Sequence, residues 1–171
     1  MKKIIFLILL QYSFVNLFSQ GLKKYPIDVS GCSAYFYCNP GNFDLSYSPD
    51  SSKVYIGECS AEQNSYGVIC VKFKEPVADI NSAEKVLEAY LDFLKTNFKI
   101  TTAAGYGKGH RLRGSEKIHG IIDYWKDEEK NNWKIKGWTN GDFIVFMYAY
   151  SKHELPESKV NVFLDGIVFP E

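Results

Sequence analysis

The chain has 171 residues, with 20 Lys and Arg balanced by 20 Asp and Glu; 46% of the residues are hydrophobic and 16% aromatic. A balanced charge excludes the strongly basic character of a nucleic-acid binder. The length suits one domain with a real core, and the wealth of Tyr, Phe, Val and Ile favours sheet.

The first twenty residues, MKKIIFLILLQYSFVNLFSQ, place Lys2 and Lys3 before an apolar run from Ile4 to Leu10 and a polar region ending at Ser19 and Gln20. That is the layout of a secretory signal peptide. The apolar run is far shorter than the ~20 residues a spanning helix needs, and Gln11 and Asn16 interrupt its extension. The expectation is an exported protein, periplasmic or secreted after cleavage near Ser19/Gln20, with a single domain over 21–171. Loss of Lys2 and Lys3 leaves 18 basic against 20 acidic residues. No later segment reads as transmembrane.

Past the leader, "SAYFYCNPGNFDLSY" alternates around Pro40-Gly41 and predicts a first hairpin. "KVYIGECSAEQNSYGVICVKF" predicts a second, turning at Asn64-Ser65, with Val54, Ile56, Val71 and Phe73 on one apolar face. In an exported chain the even set Cys32, Cys38, Cys59 and Cys70 points to disulfides. This hairpin register sets Cys59 opposite Cys70, near bonding distance. The favoured pairing is therefore Cys59–Cys70 with Cys32–Cys38, the latter needing a folded-back loop; a pairing between hairpins is the alternative. With no CxxC spacing, zinc or thioredoxin-like chemistry has little support.

"NSAEKVLEAYLDFLKTNF" predicts a helix capped by Asn81 with Glu84 three residues on, presenting Ala83, Leu87, Tyr90, Leu91, Leu94 and Phe98. "PESKVNVFLDGIVF" predicts a second helix, with Pro156 in its first turn and Val160, Phe163, Leu164, Ile167 and Val168 at helical spacing. Between them lies a four-stranded meander, turning at Gly114 to Lys117, at Glu128 to Asn131 and at Asn140-Gly141. Those turns set Gly107, Tyr124, Ile135, Phe146 and Gly109, Ile122, Gly137, Ile144 on a glycine-rich apolar face under a helix. The opposite face carries Tyr106, Trp125, Lys134, Met147, then Lys108, Asp123, Lys136, Val145, then His110, Ile121, Trp138, Phe143. The predicted fold class is α+β: a twisted antiparallel sheet of two N-terminal hairpins and the meander, packed with two helices in an α/β/α sandwich-like arrangement.

Few patterns carry chemistry. "GYGKGHRLRG", 105–114, matches no phosphate-binding loop, and its alternating glycines fit a strand under a closely packed helix. His110 and His119 are weak metal candidates, with Asp123 diagonal to His110. His119 and Asp123 are four residues, ~13 Å, apart on one strand, too far to share an ion. The simpler arrangement is a Lys108–Asp123–Lys136 charge ladder. There is no GxSxG elbow and no set of calcium-ligating oxygens.

The order of "NFDLSYSPDSSKVYIG", "SAEKVLEAYLDFLKTNFKI", "HGIIDYWKDE…NNWKIKGWTNGDFIVFMYAYS" and "VNVFLDGIVF" resembles the PsbP-like α/β/α sandwich superfamily. That superfamily includes the PsbP subunit of photosystem II, a Ran-binding nuclear import factor and many exported bacterial domains. The resemblance implies a binding or assembly role without catalysis and carries over no functional residue.

The leading expectation is therefore an exported non-catalytic binding or assembly domain without cofactor. Its recognition face would comprise Tyr106, Lys108, His110, Trp125, Lys134, Lys136, Trp138 and Phe143, and its partner an envelope or extracellular protein or a small ligand. If the second helix covers that face, Trp125, Trp138 and Phe143 are core instead, and a fully buried Trp138 decides for core. The alternatives are a metal-dependent enzyme using His110 and His119, and a carrier of a small apolar ligand lined by Tyr90, Phe98, Tyr124 and Phe146.

Overall fold

Two antiparallel sheets, one small and one large, organise the chain. A computed structural model describes residues 21–170, so the expected leader and its cleavage point lie outside the described residues. Strands β1 (Lys23–Pro26), β2 (Ser33–Phe36) and β11 (Ile167–Val168) form the small sheet, in the order β1-β2-β11. The large sheet has eight strands. β3 (Asp44–Tyr47), β4 (Lys53–Ala61), β5 (Asn64–Lys72), β10 (Phe143–Ser151), β9 (Asn132–Thr139) and β8 (His119–Asp127) are neighbours in that order, and β6 (Ile100–Ala103) and β7 (Gly107–Arg111) both pair with β8. Helix α1 (Ile80–Asn97) covers one face of the large sheet. Helix α2 (Glu157–Leu164) and the small sheet cover the other. The α+β class and the antiparallel sheet with two helices are as the pattern predicts.

Each helix buries the stripe its spacing foretells. Ala83, Leu87, Leu91 and Leu94 of α1 are buried, the three leucines in one core cluster with Ile135, Ile144 and Phe146. Its cap is Asp79, whose carboxylate accepts the Ser82 N–H at 2.8 Å. The expected cap, Asn81, lies inside the helix, and Glu84 bonds to His119 instead. Val160, Phe163 and Leu164 of α2 pack with Phe36, Tyr66 and Met147. The predicted continuation to Phe169 fails at Gly166, where a Cβ would stand 2.8 Å from the Phe163 carbonyl oxygen. There the chain turns, and Ile167 and Val168 join β2 as a strand.

The first predicted hairpin does not form. β2 pairs within the small sheet and β3 pairs with β4, so residues 37–43 cross from one sheet to the other. The second hairpin forms with a different turn. Glu62 and Gln63 take φ of 51° and 65°, pairing Ala61 with Asn64 and Cys70 with Tyr55. Cys59 and Cys70 are thus displaced along the hairpin, and neither favoured cysteine pair is formed. The disulfide is Cys38–Cys59, with Cα atoms 5.9 Å apart, while Cys32 and Cys70 are buried and unbridged.

A one-residue difference at the next turn decides the faces of the meander. The Asp127 N–H donates to the Asn131 carbonyl, the Lys130 N–H donates to the Asp127 carbonyl, and Lys130 takes φ 66°. The loop is therefore three residues, Glu128 to Lys130, where the sequence suggested four. Tyr124 consequently pairs with Lys134 rather than Ile135. That slip turns Ile121, Asp123 and Trp125 toward α1 and Gly120, Ile122 and Tyr124 to the other face. At Asn140 the loop is two residues longer than predicted, because Asn140 Oδ1 accepts both the Asp142 and Phe143 N–H groups. A two-residue shift leaves the faces of β9 and β10 as expected.

The glycine run also departs from simple alternation. Only Gly107 is tightly packed, a Cβ there falling 2.7 Å from Ile122 Cγ2. Gly109 has φ +84° and sits in the register shift between Gly107 and His110. Its role is a bulge, not close approach of a helix.

Candidate functional site

The eight residues expected on one recognition face divide between two faces of the sheet. Toward α1, the Tyr106 hydroxyl donates to the Asp92 carboxylate and Lys108 Nζ lies 2.7 Å from Glu88 Oε1. Trp125 is buried there, its indole N–H donating to Asp123 Oδ2 at 2.7 Å. The bulge at Gly109 turns His110 to the other side, near Lys136 and Asp165. Burial pushes the His110 pKa below its ordinary value, and the Lys136 charge adds to that shift. Lys134, Lys136, Trp138 and Phe143 lie on this second side. Trp138 is 1% exposed, and its indole N–H donates to the Leu164 carbonyl at 2.8 Å. Trp125, Trp138 and Phe143 are therefore core, which corrects the single aromatic recognition face.

Nor do the histidines and Asp123 converge. His119 bonds to Glu84 and to the Glu116 carbonyl on the α1 side, across the sheet from His110. Asp123 is fully buried and saturated. Its oxygens accept the N–H groups of Gly105 at 2.9 Å and Tyr124 at 2.8 Å and the Trp125 indole, and Lys95 Nζ lies 3.2 Å away. This carboxylate clamps the Gly105 turn and α1 to β8. The expected Lys108–Asp123–Lys136 ladder is replaced by Lys108–Glu88 and Lys136–Asp165. Among the described residues, no three His, Cys, Asp or Glu side chains gather as a metal would require.

The cavity expected between sheet and helix is filled by aromatic packing. Tyr90 stacks on Phe146 at 6.4 Å and Phe98 on Trp133 at 4.9 Å, and Phe146 is fully buried. Tyr124, the fourth expected lining residue, faces the other way.

That reorientation of Tyr124 builds a groove of about 410 Å³ on the α2 side. On the sheet side its lining includes the Tyr124 and Lys134 side chains of β8 and β9, and on the other side Leu155 and Glu157, where the chain enters α2. The volume is in the range of ligand sites. Tyr124 is 47% exposed, so one aromatic ring stands open to solvent. Lys134 is 5% exposed at the groove floor, its Nζ 5.0 Å from the centre of the Tyr124 ring and 2.7 Å from Asn161 Oδ1. Its charged neighbour Glu157 is 3.6 Å away and mostly in solvent.

The groove wall is held from behind. Trp133 stacks on Tyr150 at 4.2 Å and donates its indole N–H to Asp127 Oδ2 at 2.8 Å. Burial works against ionisation of Asp127, but hydrogen bonds from Asn131, Trp133 and the turn backbone hold its pKa below the ordinary value. The same carboxylate fixes the turn that points Tyr124 outward. Asp127 and Asn131 were therefore the sequence signal for this site, an Asx-type turn hidden in a charged loop.

Comparison of the sequence with protein-family models and with curated proteins finds no match to either.

Proposed function

We propose that this protein is an exported, non-catalytic binding or assembly domain whose recognition site is the groove between Tyr124 and Leu155. The observation that carries the reading is an open Tyr124 ring set over Lys134, a nearly buried cation hydrogen-bonded to Asn161 and paired at 3.6 Å with a Glu157 carboxylate that is mostly in solvent. A ligand group with an apolar or aromatic body and an acidic end would satisfy both: the body against Tyr124 and Leu155, the acid toward the Lys134 ammonium. The PsbP-like resemblance points to the same class of role.

Export rests on the leader pattern. The Cys38–Cys59 disulfide suits an oxidising compartment, and no helix of the described residues is long and apolar enough to cross a membrane. Capture from the source cell's envelope fraction tests the reading, using wild type, Tyr124→Ala and Phe93→Ala. Phe93 is a still more exposed aromatic, on the outer side of α1. A partner kept by wild type and Phe93→Ala but lost by Tyr124→Ala is expected. Equal recovery by all three proteins would refute the groove as the site.

A further inference from the structure

The two cysteines flanking β2 lie against the same hairpin. Cys38, just after β2, is bonded to Cys59 of β4. Cys32, just before β2, is 1% exposed and shares a core cluster with Cys70 of β5, which is fully buried. We propose that Cys32 and Cys70 form a second disulfide in the mature protein, stapling both ends of β2 to the β4–β5 hairpin.

The neighbourhood of these thiols holds them together from both sides. The Cys32 N–H donates to Ser30 Oγ at 3.0 Å, and Lys72 Nζ, two residues beyond Cys70, donates to the Ser30 carbonyl at 3.3 Å. These bonds pin the loop bearing Cys32 onto the end of β5. Cys70 and Cys32 lie in one buried cluster, and the neighbouring Cys32 thiol together with burial pushes the Cys70 pKa well above its ordinary value. Beside them the Tyr55 hydroxyl is buried without a hydrogen-bond partner. This is a polar island where the two sheets meet, and an S–S bond would remove both S–H groups from it.

The chemistry balances by thiol–disulfide exchange. A thiolate of one cysteine attacks a disulfide of a protein dithiol oxidant in the export compartment, and one oxidant sulfur leaves as a thiolate. The second cysteine's thiolate then displaces the remaining oxidant sulfur. The Cys32–Cys70 bond forms, the two protons given up by the cysteines end on the oxidant's sulfurs, and the oxidant's disulfide is thereby reduced to a dithiol. Thiols so deeply buried react slowly once the sheets have closed, so the bond forms while the chain is still folding. The proposal rests on the exported reading, since a reducing compartment would leave both pairs as thiols.

The test is a disulfide map of the protein isolated from its source cells, quenched in acid, alkylated in denaturant and digested without reduction. Cleavage at basic residues alone leaves Cys32 with Cys38 and Cys59 with Cys70 on two peptides. Cleavage after Tyr35, Phe36 and Tyr66 separates all four. A peptide linking Cys32 to Cys70 beside one linking Cys38 to Cys59 is expected. Alkylated Cys32 and Cys70 with an intact Cys38–Cys59 link would overturn the proposal while leaving export standing. Four alkylated cysteines would overturn both. A Cys32→Ala, Cys70→Ala variant supplies a second readout. It should melt roughly 5–15 °C below wild type without reductant, and the gap should narrow sharply once both proteins are fully reduced. A gap unchanged by reduction would count against the bond.

Discussion

The indole N–H of Trp138 donates to the backbone carbonyl of Leu164 across 2.8 Å, tying the middle of the large sheet to the last residue of α2. Gly120 lies beneath the same ring, since a Cβ there would fall 2.3 Å from Trp138 Cζ3. The indole is thus both the packing core and the hydrogen-bond anchor of that layer. Trp138→Ala should lose about 3–5 kcal/mol of stability. Trp138→Phe should lose less, about 1–3 kcal/mol, chiefly from the orphaned Leu164 carbonyl. Urea denaturation of both variants measures this; a near-neutral Trp138→Ala would contradict the anchoring role.

Asp123 offers the same test on the opposite face. Its carboxylate is fully buried, accepts three hydrogen bonds and faces the Lys95 ammonium, so its removal strands several donors at once. Asp123→Ala should cost about 3–5 kcal/mol and should loosen the Gly105 turn, seen as faster amide exchange there. A loss confined to a few tenths of a kcal/mol would show that solvent can replace the carboxylate.

Much of this architecture is legible in the sequence, and what is not has a common cause. The burial stripes of α1 and α2 follow from 3.6-residue spacing, and β9 and β10 keep their faces because their turn differs from the predicted one by two residues. The face of β8 is misread because Asp127 and Asn131 close a three-residue loop, with Lys130 left-handed where the run "EEKN" suggests four ordinary residues. That single step buries Trp125 and exposes Tyr124, so it also decides where a groove can form. The path of β2 is illegible for a different reason. Its partners are β1 and a strand from the far C-terminus, a long-range pairing that local alternation does not encode. The Cys38–Cys59 bond depends on that path, so the cysteine pattern alone leaves it unresolved.

The Cys38–Cys59 disulfide joins residues 21 apart in sequence and ties the segment that leaves β2 to β4. Replacing both partners, Cys38→Ala with Cys59→Ala, should cost about 2–4 kcal/mol, read as a lower urea midpoint. Wild type treated with reductant should fall at least as far. A variant as stable as the oxidised wild type would mean that the crossing segment 37–43 is held without the bond.

Alkaline stability follows from the core tyrosines. Burial pushes the Tyr66 phenol up to about 12, with Tyr37 and Glu62 adding to it, and burial beside Glu58 raises Tyr148 further. An unfolded phenol titrates near ~10. The native state therefore holds protons that the unfolded state has lost. Stability from these groups is whole below about pH 10 and is lost as pH rises through about 12. Denaturant midpoints measured from pH 8 upward should fall in that window, and Tyr66→Phe should flatten the fall. A flat wild-type profile would contradict the burial assigned to these rings.

Direct contact at Tyr124 is the most immediate test of the proposed recognition groove. A photo-reactive phenylalanine replaces Tyr124 in one protein and Phe93 in another, and each is irradiated in the living source cell. The groove reading predicts a discrete crosslinked species from position 124 and none from position 93. Identical products from both positions, or a product from position 93 alone, would contradict it.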